Sequence, residues 1–181
     1  MIRLFAAIPI PEDIRSRLYD LRGGVSGAKW VARENYHLSL RFIGEVDQGV
    51  ARDIDAALFR VRAPAFSVEL SGVGYFGKGA KARILWAGVA AYDALGHLQS
   101  KIEVALMGAG LTEEHRKYAP HVTMARLKRP DGARLDAYVG NHAGFHTGPI
   151  PVDRYVLYSS FLSRSGAIYT PEAEYGLSDA A

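Results

Sequence analysis

The sequence predicts an α+β protein, bilobal and pseudo-twofold, arranged around a central cleft. Three observations carry this. A short phrase occurs twice: His37-Leu38-Ser39-Leu40 and His121-Val122-Thr123-Met124 each read His, apolar, small hydroxyl, apolar. Each phrase is preceded and followed by a stretch of helical period, then by two of strand period. No low-complexity run or linker divides the 181 residues, so residues 1–181 read as a single bilobal domain.

In chain order, Ile2 to Ile8 is an apolar run broken only by Arg3, which predicts a buried strand. Pro9 and Pro11 close it, and Pro11 suits the first turn of a helix carrying Ile14, Leu18 and Leu21. Gly23-Gly24 stop that helix. Tyr36 to Ile43 is the first motif strand, ended by Gly44. Asp47 is an N-cap for a second helix with Val50, Ile54, Leu58 and Val61 on one face. Phe66, Val68 and Leu70 alternate as a half-buried strand. Gly72 to Gly79 reads as a mobile glycine-rich loop, and Ile84 to Val89 as another strand. Asp93 caps a third helix with Leu95, Leu98, Ile102 and Leu106 on its apolar face, ended by Gly108 and Gly110. The second motif strand spans Tyr118 to Arg126, with Pro120 marking a strand start or an edge. A short helix from Asp131 carries Leu135, Tyr138 and Val139. Strands follow around Phe145, at Val152 to Ser159 and at Ala167 to Tyr175, the last two forming a hairpin around Ser163-Arg164-Ser165-Gly166.

Composition narrows the chemistry. Hydrophobic residues at 49% suffice for a sizeable core, and no run of about 18 apolar residues exists, so no membrane span is expected. Met1 to Phe5 does not open a signal peptide, which makes the cytoplasm the expected compartment. The absence of cysteine excludes disulfides, thiolate zinc sites and a cysteine nucleophile. The formal charge of +3 is compatible with a polyanionic partner.

In a strand, residues i and i+2 share a face about 7 Å apart. His37 and Ser39 therefore project together with Leu38 and Leu40 behind them, and His121 and Thr123 do the same over Val122 and Met124. Two such strands facing each other present two imidazoles and two hydroxyls to one cleft. That set suits metal-free phosphoryl transfer, with an acid, a base and two hydrogen-bond donors. Neither motif has the His-x-x-x-His spacing of a helical zinc site. The glycine-rich stretch lacks a Gly-Lys-Ser/Thr ending, so it is not a phosphate loop.

Four pieces of the chain carry a resemblance to a known family. They are Arg3-Leu4-Phe5-Ala6-Ala7-Ile8 with Pro9 and Pro11; Asn35-Tyr36-His37-Leu38-Ser39-Leu40-Arg41-Phe42-Ile43-Gly44-Glu45; Arg83-Ile84-Leu85-Trp86-Ala87-Gly88-Val89; and Tyr118-Ala119-Pro120-His121-Val122-Thr123-Met124-Ala125-Arg126. Together they resemble the two-histidine (2H) phosphoesterases, and among them the RNA 2′,3′-cyclic phosphodiesterases, once called 2′-5′ RNA ligases. The resemblance implies two antiparallel sheets with outer helices. It also implies hydrolysis of 2′,3′-cyclic phosphate ends of RNA or nucleotides to 2′-phosphates, with no metal or cofactor, by a monomer. His37 and His121 would be catalytic, and Ser39 and Thr123 would bind the non-bridging oxygens. A 2′-phosphate product means that the 3′ oxygen leaves. This suggests His121 as base and His37 as acid, although the near-symmetry of the motifs leaves the reverse open. The family usually has threonine in both motifs; Ser39 keeps the hydroxyl but loses the methyl that fixes its rotamer.

Two arginines are further phosphate-binding candidates. Arg41 is i+4 from His37 and shares its face if the strand is regular. Arg126 is a phosphate contact by the resemblance, yet regular alternation points it away from His121 unless a bulge intervenes. Lys78 and Lys81 are candidate backbone contacts, and Tyr36, Phe42, Tyr75 and Phe76 candidate stacking platforms. His97, His142 and His146 read as solvated or capping residues, and His115 as a surface-loop residue near the second motif. Rival readings are a 2′-5′ ligase or phosphodiesterase using the same histidines, a non-catalytic RNA-end binder, and a metal-dependent hydrolase.

Overall fold

The computed structural model describes residues 1–178. Its elements are β1 (Ile2–Pro9), α1 (Glu12–Asp20), β2 (Ala28–Trp30), β3 (His37–Val46), α2 (Gln48–Phe59), β4 (Phe66–Phe76), β5 (Ile84–Ala90), α3 (Asp93–Gly108), β6 (His121–Leu127), α4 (Gly132–Asn141), β7 (His146–Val152), β8 (Arg154–Ser163) and β9 (Gly166–Gly176). Single 3₁₀ turns cover Arg33–Asn35 and Gly79–Lys81.

The strands form one antiparallel path, β7-β4-β5-β6-β3-β1-β8-β9, with β2 added on β6. The path has two halves of four strands, β7-β4-β5-β6 and β3-β1-β8-β9. They join at one residue pair, Leu38 opposite Val122. The two sheets predicted from sequence are thus joined edge to edge. The chain crosses between halves: β1 and β5 are the inner partners of the motif strands β3 and β6, while β8 and β4 lie outside them.

Helices back each half. Tyr138 Oη of α4 donates to the carbonyl of Leu21 just past α1, and Arg17 of α1 donates to the His146 carbonyl at the start of β7. Behind the other half, Tyr155 of β8 and Tyr175 of β9 donate to the Leu58 carbonyl and the Asp55 carboxylate of α2. One hydrophobic core results, in which Leu38, Leu40, Val122 and Met124, the apolar members of both motifs, are buried. Burial of each such side chain contributes about 1.5–3 kcal/mol. It anchors the motif strands by their backs and leaves the histidine face open.

Helix boundaries follow local chemistry. Asp47 accepts from Val50 N at the start of α2, and Asp131 from Arg134 N at the start of α4. Tyr92, not Asp93, is the cap residue of α3; Asp93 lies in its first turn, where a carboxylate favours the helix dipole. Val61 lies past the end of α2. No helix among the described residues is long and apolar enough to cross a membrane.

Several strand boundaries differ from expectation. Gly72 to Phe76 is not a loop: β4 runs through it. Gly72, with φ of +68°, takes up a register shift between Leu70 and Val73, and the strand then resumes. The second motif strand begins at His121 rather than Tyr118, directly after Pro120, which lacks the N–H a ladder needs. Val152 closes β7, and β8 begins after Asp153. The three-residue β2 has no sequence signal of its own. The β8–β9 hairpin turns at Arg164-Ser165, with Ser163 paired to Gly166.

Candidate active site

The bridge Leu38–Val122 sets the geometry of the cleft. In an antiparallel register that pairs 38 with 122, His37 is opposite Thr123 and Ser39 is opposite His121. Opposite residues share a face, so each histidine meets the other motif's hydroxyl, and the two histidines form a diagonal pair.

Both imidazoles are held alike. His37 Nδ1 lies 2.8 Å from the Asn35 carbonyl, and His121 Nδ1 lies 2.7 Å from the Ala119 carbonyl. A carbonyl only accepts, so each Nδ1 carries a proton and each Nε2 is left for the cleft. His37 Nε2 is 2.9 Å from Ser39 Oγ. His121 Nε2 has no protein hydrogen-bond partner among the described residues.

Both segments that supply those carbonyls are tied to the half that holds β3. Asn35 Nδ2 donates to the Ala167 carbonyl of β9 at 2.8 Å. Tyr118 Oη donates to the Ser39 carbonyl at 2.8 Å, so the residue before Ala119 grips the opposite motif.

Aromatic rings pack both histidines. His37 lies 4.9 Å from Phe5 and 5.4 Å, edge-on, from Tyr169. His121 meets Phe76 edge-on at 4.9 Å, and Phe76 in turn lies 5.5 Å from Trp86. Trp86 is opposite Thr123 in the register, and Gly88 is opposite His121. Gly74 lies beneath the indole: a Cβ there would stand 2.4 Å from Trp86 Cη2.

Burial lowers the pKa of His37; its carbonyl partner opposes this, and the neighbouring His121 lowers it further. His37 thus favours the neutral form at pH 7. Among the described residues, no group of three His, Asp or Glu side chains gathers as metal ligands.

The two arginines part company, for the same reason. Between Leu85 and Trp86 the β5–β6 register slips by one, making Met124 an extra residue. Met124 and Ala125 are both buried, and Arg126 returns to the cleft face, opposite Ile84. Burial raises the pKa of the Tyr169 hydroxyl, and the charge of Arg126 opposes part of that rise. β3 has the matching slip: Ala7 is opposite Ser39 but Ala6 is opposite Arg41. The bulge turns Arg41 away from the histidine face. Its Nε donates to Glu103 Oε2 of α3 at 2.6 Å, and its Nη2 to the Thr112 carbonyl at 2.7 Å. Arg41 is a structural tie, not a cleft residue.

Of the stacking candidates, Phe76 touches His121, and Phe42 is 61% exposed on the cleft face, its partner in the register being Phe5. Tyr36 is buried in the core, and Tyr75 donates to Asp136 of α4. Lys78 and Lys81 are exposed on the turn between β4 and β5. His115 is exposed on the loop before β6, and His142 caps α4 by bonding the Tyr138 carbonyl. Phe5, Trp86 and Tyr118 stand in the stretches that carry the resemblance but, like Tyr169, are not marked as site residues by sequence reasoning. The carbonyls of Asn35 and Ala119 had one available signal: both stand two residues before a motif histidine.

Comparison with known proteins gives a consistent picture. The family model described as LigT like phosphoesterase matches residues 8–86 and 89–169. An RNA 2′,3′-cyclic phosphodiesterase of Thermotoga maritima is 35% identical over 177 residues, covering 93% of this chain and 91% of that protein. One from Aeropyrum pernix is 36% identical over 146 residues, 78% of this chain and 81% of that protein. The crystal structure of E. coli LigT complexed with 3′-AMP superposes with a TM-score of 0.78 over 98% of this chain and 99% of that one, at 24% identity.

Proposed function

The chain belongs to the LigT-like phosphoesterase family, and on that premise we propose that it hydrolyses the 2′,3′-cyclic phosphate ends of RNA or nucleotides to 2′-phosphomonoesters. The observation that carries this reading is the matched pair of histidines, each with Nδ1 on the carbonyl two residues upstream and Nε2 toward one cleft.

In this scheme the cyclic phosphate lies between the imidazoles. His121 Nε2, without a protein partner among the described residues, takes a proton from water as its oxygen attacks phosphorus. The P–O3′ bond breaks, and His37 Nε2–H gives its proton to the departing 3′ oxygen. The products are a 2′-phosphate and a 3′-hydroxyl; the two rings then exchange protons with solvent to restore the starting state. Burial favours the neutral form of His37 in the free protein, so the acid role needs the ring to be charged when substrate is bound. The anionic diester between the rings supplies the field that charges it. Ser39 and Thr123 hydroxyls, with Arg126, stabilise the charge that develops on the non-bridging oxygens. The protein acts as a monomer, in the cytoplasm.

The test is turnover of a 2′,3′-cyclic-phosphate oligonucleotide in excess EDTA by wild type and by H37N and H121N. Turnover by the wild type alone supports the reading. Binding without turnover identifies an RNA-end binder, and loss of activity in EDTA a metal-dependent hydrolase. Cleavage of a 2′-5′ linkage in preference to the cyclic end assigns the histidines to that reaction.

A further inference from the structure

The short strand β2 places Lys29 directly opposite Arg126. Ala28 and Trp30 face the other way: they pair with buried Leu127 and Ala125, and Trp30 packs near Tyr138 of α4. Lys29 and Arg126 therefore stand side by side on the cleft face, both exposed. Like charges directly opposite on paired strands destabilise a sheet. Only solvent screens the repulsion: neither side chain has an ion-pair or hydrogen-bond partner among the described residues. Lys128, also exposed, follows along the same edge, where its N–H bonds the Gly27 carbonyl.

This row begins at the reacting centre. Thr123 and His121 precede Arg126 on β6, so Arg126 lies nearest the scissile phosphate, with Lys29 beside it on β2. A local arrangement that costs stability, set beside a reaction site, marks a place where an anion belongs.

We infer that Lys29, beside Arg126, forms a second phosphate subsite that holds the internucleotide phosphate preceding the cyclic end. This rests on the proposed function for the identity of the end group. It makes the preferred substrate an oligonucleotide rather than a nucleoside 2′,3′-cyclic monophosphate. Each lysine–phosphate contact on a single strand releases condensed counterion, so the preference weakens as salt rises.

The experiment measures binding and turnover separately. Fluorescence anisotropy with a labelled trinucleotide ending in 2′-phosphate is run between 50 and 200 mM salt, on wild type, K29A and K29R. Competition by a nucleoside 2′-monophosphate gives the mononucleotide affinity. The expected result is trinucleotide affinity reduced about fivefold in K29A at the lowest salt, with the slope of log K against log salt shallower by about 0.7. K29R restores both, and mononucleotide affinity changes far less than trinucleotide affinity. Trinucleotide affinity and slope unchanged in K29A overturn the inference. Turnover of trinucleotide and mononucleotide cyclic phosphates is measured alongside. If neither is hydrolysed while K29A still weakens trinucleotide binding, the subsite stands and the proposed reaction fails.

Discussion

Arg126 and Phe42 are structural counterparts. Each follows its motif histidine by the same interval, past a one-residue bulge, on the cleft face. One position carries a cation and the other an aromatic ring 61% exposed. The twofold symmetry of the backbone is thus broken in side-chain chemistry, and in the proposed reaction the positive charge beside the phosphate comes from the β6 side. R126A should lower kcat by about 10²-fold, the usual scale for one lost stabiliser of transition-state charge. Steady-state kinetics on a cyclic-phosphate substrate, with circular dichroism to confirm folding, checks this.

Arg41 should behave in the opposite way. Its ion pair with Glu103 is largely buried, with side-chain exposures of 11% and 14%. Removing one partner leaves the other charge unpaired away from water, at a cost of about 3 kcal/mol. R41A should lower the Tm by about 6–12 °C and leave kcat per folded molecule near the wild-type value. A stable but inactive R41A would return that residue to the phosphate site.

The lowered pKa of His37 has two consequences. The folded protein resists protonation there more than the unfolded chain, whose histidine titrates near 6.5. In the window from 6.5 down to the folded value the unfolded state binds more protons, so stability falls as pH falls. Because the charge of His121 contributes to the shift, H121N should move the His37 titration upward. NMR titration of the imidazole Cε1–H signals in wild type and H121N measures the shift directly. An unmoved His37 would remove the coupling between the rings.

Gly74 is fixed by the indole above it. A methyl placed there meets Trp86 at 2.4 Å, so G74A must displace the ring that lies opposite Thr123. Overpacking of this kind costs about 1–3 kcal/mol. The expected outcome is reduced stability in urea, together with a changed Trp fluorescence spectrum and lower kcat/KM.

The motifs were legible because a strand's period of two survives in sequence: Leu38 and Val122 had to be buried, so His37 and His121 had to face out. The helices were legible from their apolar stripes and from Asp47 and Asp131. Arg41 was misplaced, and Arg126 left undecided, because nothing in the sequence marks Leu40 or Met124 as the extra residue of a bulge; register against β1 and β5 creates it. Tyr169 and Lys29 reach the cleft only through pairings made far along the chain. Gly72 and Gly74 read as loop because their roles, a strand bulge and room for Trp86, depend on a partner the local sequence does not show.

In the proposed reaction the two imidazoles, acting through Nε2, open a cyclic diester with the 3′ oxygen as leaving group. Its most direct test is phosphorus NMR of the product formed from a 2′,3′-cyclic-phosphate oligonucleotide by the pure protein in excess EDTA. The expected result is a single 2′-phosphomonoester resonance, absent with H37N and with H121N. A 3′-phosphomonoester, or undiminished product with either variant, would contradict it.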